Sequence, residues 1–114
     1  MPLSIYNNIS ALRALATKQV VSSNNVAHVE SKDFKKSQAL LEEGKTGAVS
    51  AKIQPVNTPG VIINQPDGSV EELSNVDLGQ ELAGTIPTQR GYEANLKALQ
   101  ASAEMEDTAL DLIG

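Results

Sequence analysis

Cysteine and tryptophan are absent from this sequence, and aromatic side chains nearly so: Tyr6, Phe34 and Tyr92 are the only ones in 114 residues. Without cysteine there is no disulfide and no thiolate chemistry, and the redox compartment is left open. With so few aromatics, the 40% hydrophobic content is mostly Ala, Leu, Val and Ile. That material suits thin helical seams better than a broad globular core. The single histidine, His28, follows an Asn pair with no partner pattern around it and reads as a surface residue. No Gly-rich phosphate loop precedes a helix. The one grouping of acids, from Glu104 to Asp111, reads as a solvated helix end and not as a metal site. The expectation is therefore no catalytic residue, no metal ligand and no cofactor, and an enzyme is the reading least supported.

Long apolar runs are missing too. The N-terminal stretch is broken by Asn, Ser and Arg, so no cleavable signal peptide is expected, and no segment has the length needed to span a membrane. The chain is expected to stay in the cytosol or to leave it by a route without such a signal. The net charge of −5 argues against a nucleic-acid partner. Beneath that total, residues 1–57 carry seven Lys/Arg against four Asp/Glu, and residues 58–114 two against ten. The plain reading is solvated faces; the sharper one is a basic half that meets an acidic half, in one molecule or between neighbours.

What is present is a long helical pattern at the C-terminal end. Steps of four and three from Leu78 reach Leu82, Thr85, Gln89, Tyr92, Leu96, Leu99, Ala103, Glu106, Leu110 and Ile113, and eight of these eleven positions are apolar. A sustained 3.5-residue period predicts a helix packed along another helix. Ser74 and Asp77 read as a capping box for a helix over residues 74–113, roughly 55 Å long. A compact domain of this size has a radius of gyration of only about 13 Å, so the chain cannot wrap the helix by itself. Pro87 interrupts the pattern: either one helix kinks at Gly84–Pro87, which the same heptad phase on both sides favours, or Pro87 opens a separate helix over 87–113.

The rest of the chain is read around that helix as one elongated domain. Residues 1–27 carry a second seam, Ile5, Ile9, Leu12 and Ala16, in a helix expected to fray near Ser22–Asn25, where Ser and Asn compete for backbone hydrogen bonds. Residues 28–48 read as a loop, with a marginal short helix at Gln38–Glu43 as the alternative. Residues 49–73 alternate at Val49, Ala51 and Ile53, then show turn signals at Thr58-Pro59-Gly60 and Pro66-Asp67-Gly68, which predicts two or three short strands lying against a helix. The expected fold is mainly α: two terminal helices packed as a coiled-coil pair, parallel or antiparallel, with a small hairpin or meander between them. The seam residues Leu78, Leu82, Tyr92, Leu96, Leu99, Leu110 and Ile113 are expected to be partly uncovered and to form a contact surface, with Tyr92, Leu96 and Leu99 against Leu12 or Ala16 of this chain or a neighbour.

Two stretches resemble the flagellar rod and hook axial proteins. Residues 22–37, SSNNVAHVESKDFKKS, are similar to the N-terminal box of that family through Ser23, Asn24, Asn25 and Ala27. Residues 75–100 are similar to its C-terminal box through Asn75, Val76, Asp77 and Leu78, followed by Gln89, Arg90, Tyr92, Glu93, Ala94 and Asn95. The chain departs from the family at His28, where Asn is usual, at Glu30-Ser31-Lys32-Asp33, and at Pro87. The resemblance implies a structural subunit of the bacterial flagellar basal body, whose terminal helices pack together and against other axial subunits in a tube. It further implies export through the flagellar type III apparatus without a cleaved signal, and the short middle region is closest in size to the proximal rod type. The competing reading is a small helical adaptor or export chaperone that never joins the tube.

Overall fold

The computed structural model describes residues 3–113, with side chains from Ile5 to Leu112. Helix α1 (Leu3–Ala27) is followed by strands β1 (Ser37–Glu43) and β2 (Val49–Pro55), strands β3 (Ile62–Asn64) and β4 (Val70–Glu72), and helix α2 (Leu78–Ile113). The two helices run antiparallel, since Ser22 and Asn25 meet Glu81 while Leu15 lies against Gly91. The molecule measures 80 × 24 × 14 Å and its radius of gyration is 20.2 Å. It is mainly helical, with a pair of terminal helices and small hairpins between them.

Helix α1 does not fray at Ser22–Asn25; it continues to Ala27. The polar side chains expected to end it are occupied elsewhere. Ser22 Oγ donates to Glu81 Oε2 at 2.7 Å, and Asn25 Nδ2 donates to the Ser37 carbonyl at 2.7 Å and to Glu81 Oε1 at 3.0 Å. A side chain held by tertiary partners no longer competes with its own helix.

The stretch read as a loop supplies strand β1, and neither loop nor short helix forms at Gln38–Glu43. Asn25 starts the strand by bonding both backbone groups of Ser37, accepting from its N–H at 3.1 Å. The strand then pairs antiparallel with β2, Ala39 opposite Ile53 and Leu41 opposite Ala51. The β1–β2 hairpin lies against α1, where Ala39 is buried. Its turn closes through Gly47, at φ +86°, where an added Cβ would come within 2.7 Å of Asn7 Nδ2.

Strands β2, β3 and β4 fall within the region expected to hold two or three, but β3–β4 is a separate two-stranded sheet. Its turn is at Pro66-Asp67-Gly68 as expected, with Gly68 at φ +88°. No type II turn forms at Thr58-Pro59-Gly60: positive φ occurs at Gly47 and Gly68 and not at Gly60. Glycine is needed at position 60 for another reason, because a Cβ there would lie 2.0 Å from the Leu73 carbonyl oxygen. Among the described residues neither β3 nor β4 packs on a helix. Instead Lys32 and Lys35, on the segment after α1, pair with Glu71 and Glu72.

Helix α2 begins at Leu78, later than the box at Ser74 implied. Asp77 is the cap: its carboxylate accepts from the Gln80 N–H at 3.1 Å and its carbonyl from the Glu81 N–H at 3.0 Å. Ser74, 3% exposed, donates instead to the Val29 carbonyl at 2.6 Å. The helix is one continuous element of 36 residues with Pro87 inside it. Pro87 has no N–H to give the Ala83 carbonyl. The hydroxyls of Thr85 and Thr88 bond the neighbouring carbonyls of Leu82 and Gly84.

Candidate assembly surface

The helix pair is joined through polar and small side chains. Along α2 the residues turned from solvent are Glu81, Thr85, Thr88, Gly91, Asn95, Leu99 and Ser102, a heptad row of its own. It shares Thr85 and Leu99 with the apolar row expected from the sequence, but its other members stand one position earlier than Leu82, Gln89 and Leu96. Apart from Leu99, the residues of this row are small or polar. Leu15 packs on Gly91, close enough that a Cβ there would make ordinary van der Waals contact with Leu15 Cδ1 at 3.5 Å. A leucine row would hold the helices further apart.

The apolar row is consequently left open. Leu78, Leu82, Tyr92, Leu96 and Leu110 are all exposed, between 40% and 61%, while Leu99 is half-buried. The side chain of Ile113 lies outside the described residues. On α1, Ile5 is buried, Ile9 and Leu12 are half-buried, and Ala16 is exposed. Leu15 and Ala14, not singled out by the heptad, are buried instead. A groove of about 720 Å³ separates the helices along the open row, with Ala16 and Gln19 on one wall and Leu82, Gln89 and Tyr92 on the other.

At the far end of the pair, a polar node locks three elements. Asn25 is 2% exposed, and with Ser22 it engages both oxygens of Glu81 while Ser37 is held on its amide. Asn75 forms a second staple, its Oδ1 accepting from the Lys36 N–H at 2.7 Å and its Nδ2 donating to the carbonyls of Val56 at 2.7 Å and Thr58 at 3.0 Å. Asn95 donates to the Gly91 carbonyl within its own helix. Of the other motif residues, Val76 is half-buried, whereas Ser23, Asn24, Ala27, Gln89, Arg90, Glu93 and Ala94 are exposed. His28 is not a simple surface residue: half-buried, it stacks on Phe34 with centroids 4.6 Å apart. Sequence reasoning missed Ser22, Ser37 and Glu81. A carboxylate in the first turn of α2 was the one available signal, since the helix dipole favours it there.

The second hairpin is held by charge. Hydrogen bonding from Lys32 holds the Glu71 carboxyl below its ordinary value, and Glu71 in turn raises Lys32. Glu72 is lowered by the Gly60 N–H first and by Lys35 second. Asp67 is lowered by the hydroxyl and N–H of Ser69 in the turn. Among the described residues no group of three His, Cys, Asp or Glu side chains could hold a metal ion, and no helix is long and apolar enough to cross a membrane.

Residues 67–112, which include strand β4, the cap and nearly all of α2, match the family model described as the flagellar basal body rod FlgEFG protein C-terminal. That stretch, about two fifths of the chain, is similar to the C-terminal segment of the flagellar rod and hook axial proteins. The flagellar hook protein FlgE of Helicobacter pylori is 47% identical over 45 residues, which are 40% of this chain and 6% of that protein. FlgE of Treponema pallidum is 46% identical over 41 residues, 36% of this chain and 9% of that protein. The matched stretch is thus a small share of the length of these hook proteins. The family match does not extend to the N-terminal box at residues 22–37.

Proposed function

We propose that the chain is a structural subunit of the bacterial flagellar basal-body rod. In this reading it is exported through the type III apparatus and joins other axial subunits in a tube through its terminal helices. The observation that carries the reading is the open row of α2: Leu78, Leu82, Tyr92, Leu96 and Leu110 follow a coiled-coil period and have no cover within the chain. The flagellar likeness of the same helix and the 80 Å length of the molecule support it. Residues 3–113 would then act as one elongated unit, with the helix pair in the tube wall and the hairpins at its side.

Leu96→Asp tests it. The substitution puts a charge on the open row at an exposed position, outside the contact between α1 and α2. In cells, the variant is expected to be secreted at the normal level while rods fail to assemble and motility is lost. Rods that contain the variant at wild-type levels would sink the reading. A discrete dimer retained in the cytoplasm would replace it with an adaptor or export chaperone.

A further inference from the structure

The last turns of α2 run past the start of α1. Ser102 is the last position on the helix that is even half-buried, and every described side chain from Ala103 to Leu112 is exposed. Met105 is 65% and Leu112 84% exposed. At about 100° per residue the segment is amphipathic. Met105, Ala109 and Leu112 fall on one arc, Glu104, Asp107 and Asp111 cluster on the opposite one, and Glu106 and Leu110 lie between them. No basic residue follows Lys97. Among the described residues none of these acids is in an ion pair.

A surface of opposite character lies on α1. Its far side, turned from α2, forms a groove of about 610 Å³ with the start of β2. Tyr6 stands at the rim, 57% exposed, and Ile9 and Ala14 form the floor. The β2 wall is Ala48–Ala51, whose small side chains leave room for larger ones. Arg13 lines it together with Ser10 and Thr17. Helix α1 contains no acidic residue, and Lys45 and Lys52 bracket the β2 wall in sequence. Arg13, Lys45 and Lys52 are in no ion pair among the described residues. The nearest acids in the sheet, Glu42 and Glu43, stand on β1 opposite Ser50 and Val49.

We propose that Glu104–Leu112 of one copy docks in the α1–β2 groove of a second copy, its apolar arc on the floor and its acids around Arg13. The inference rests on the subunit reading above and names the surfaces that meet. The occupant is another copy because α2 is one unbroken helix that leads away from its own groove. Length fits as well: nine helical residues span roughly 14 Å, and Tyr6 to Thr17 about 17 Å.

Charge exchange tests it on the full chain by sedimentation velocity. Arg13→Glu alone, and Asp107→Lys with Asp111→Lys alone, each place like charges at the contact. Each should weaken self-association by about tenfold or more at low salt. An equimolar mixture of the two restores both contacts and should recover wild-type association. Leu112→Asp should weaken association at high salt too, where the charge terms are screened. A mixture no tighter than its components, or a wild-type chain that stays monomeric throughout, overturns the proposal. A chain that complements in this way yet never enters rods would overturn the rod reading alone.

Discussion

At the scale of single residues, stability is concentrated in a few polar side chains that tie distant segments together. Asn25 is the clearest case, because one amide serves α1, β1 and α2 at once. Removing it leaves Ser37 and Glu81 with groups that have lost their partners, and an unmade hydrogen bond in a covered position costs more than a made one contributes. Asn25→Ala should therefore destabilise the chain by about 2–3 kcal/mol. Thermal unfolding followed by circular dichroism at one fixed concentration should show a midpoint lower by roughly 10 °C or more. Ser23→Ala, two residues away on an exposed face, is the control and should change the midpoint little. A midpoint equally unmoved by Asn25→Ala would mean that the node is incidental.

At the scale of elements, each hairpin depends on a different force. The first is pressed on α1, whereas the second is tied to the segment after α1 by the Asp33 N–H bonded to the Glu72 carbonyl and by the pairs Lys32–Glu71 and Lys35–Glu72. The two glutamates sit below the ordinary value of 4.5, so the closed hairpin binds their protons less readily than the open chain does. Their contribution is complete above the ordinary glutamate range and is lost as pH falls through the lowered folded values. The backbone amides of Gln65 and Leu73, which bond across the hairpin to the carbonyls of Ser69 and Val61, should therefore lose protection from exchange as pH falls below the ordinary glutamate range while those of α1 keep theirs. Glu71→Gln with Glu72→Gln should flatten that dependence. A hairpin whose protection is the same at pH 6 and pH 3 would refute the assignment.

Legibility in the sequence followed the same division. Both helices could be read from their periods, and β2 from the alternation of Val49, Ala51 and Ile53, because those signals are local. Strand β1 could not, since SQALLEE has no clear period and becomes a strand through Asn25 and the register with β2. The face α2 presents to α1 was also hidden. Heptad counting finds where leucines recur, but the helices meet at Thr88 and Gly91, which are not leucine positions. The row expected to be partly uncovered is 40–61% exposed at Leu78, Leu82, Tyr92, Leu96 and Leu110, while Leu99 in the same row is half-buried.

At the scale of the molecule, the decisive quantity is surface. The chain exposes 7838 Å², whereas a compact protein of 12.0 kDa would expose about 6,000 Å². The difference, of order 1,800 Å², exceeds what one partner normally contributes to a stable interface, about 800 Å². Among the described residues only Ile5, Ala14, Leu15 and Ala39 are buried apolar side chains. So thin a core offsets little of the conformational entropy of 36 helical residues in α2, and much of that helix lies beyond the reach of α1. Helix formation is therefore expected to be coupled to the covering of this surface by neighbours. Over a hundredfold concentration range, the dilute chain should show far less helix than α1 and α2 together would give, and helicity should rise in step with larger species in sedimentation velocity. Full helicity in a discrete monomer or dimer at every concentration would mean that the open row needs no neighbour. In that case the adaptor reading would fit the molecule better than the rod.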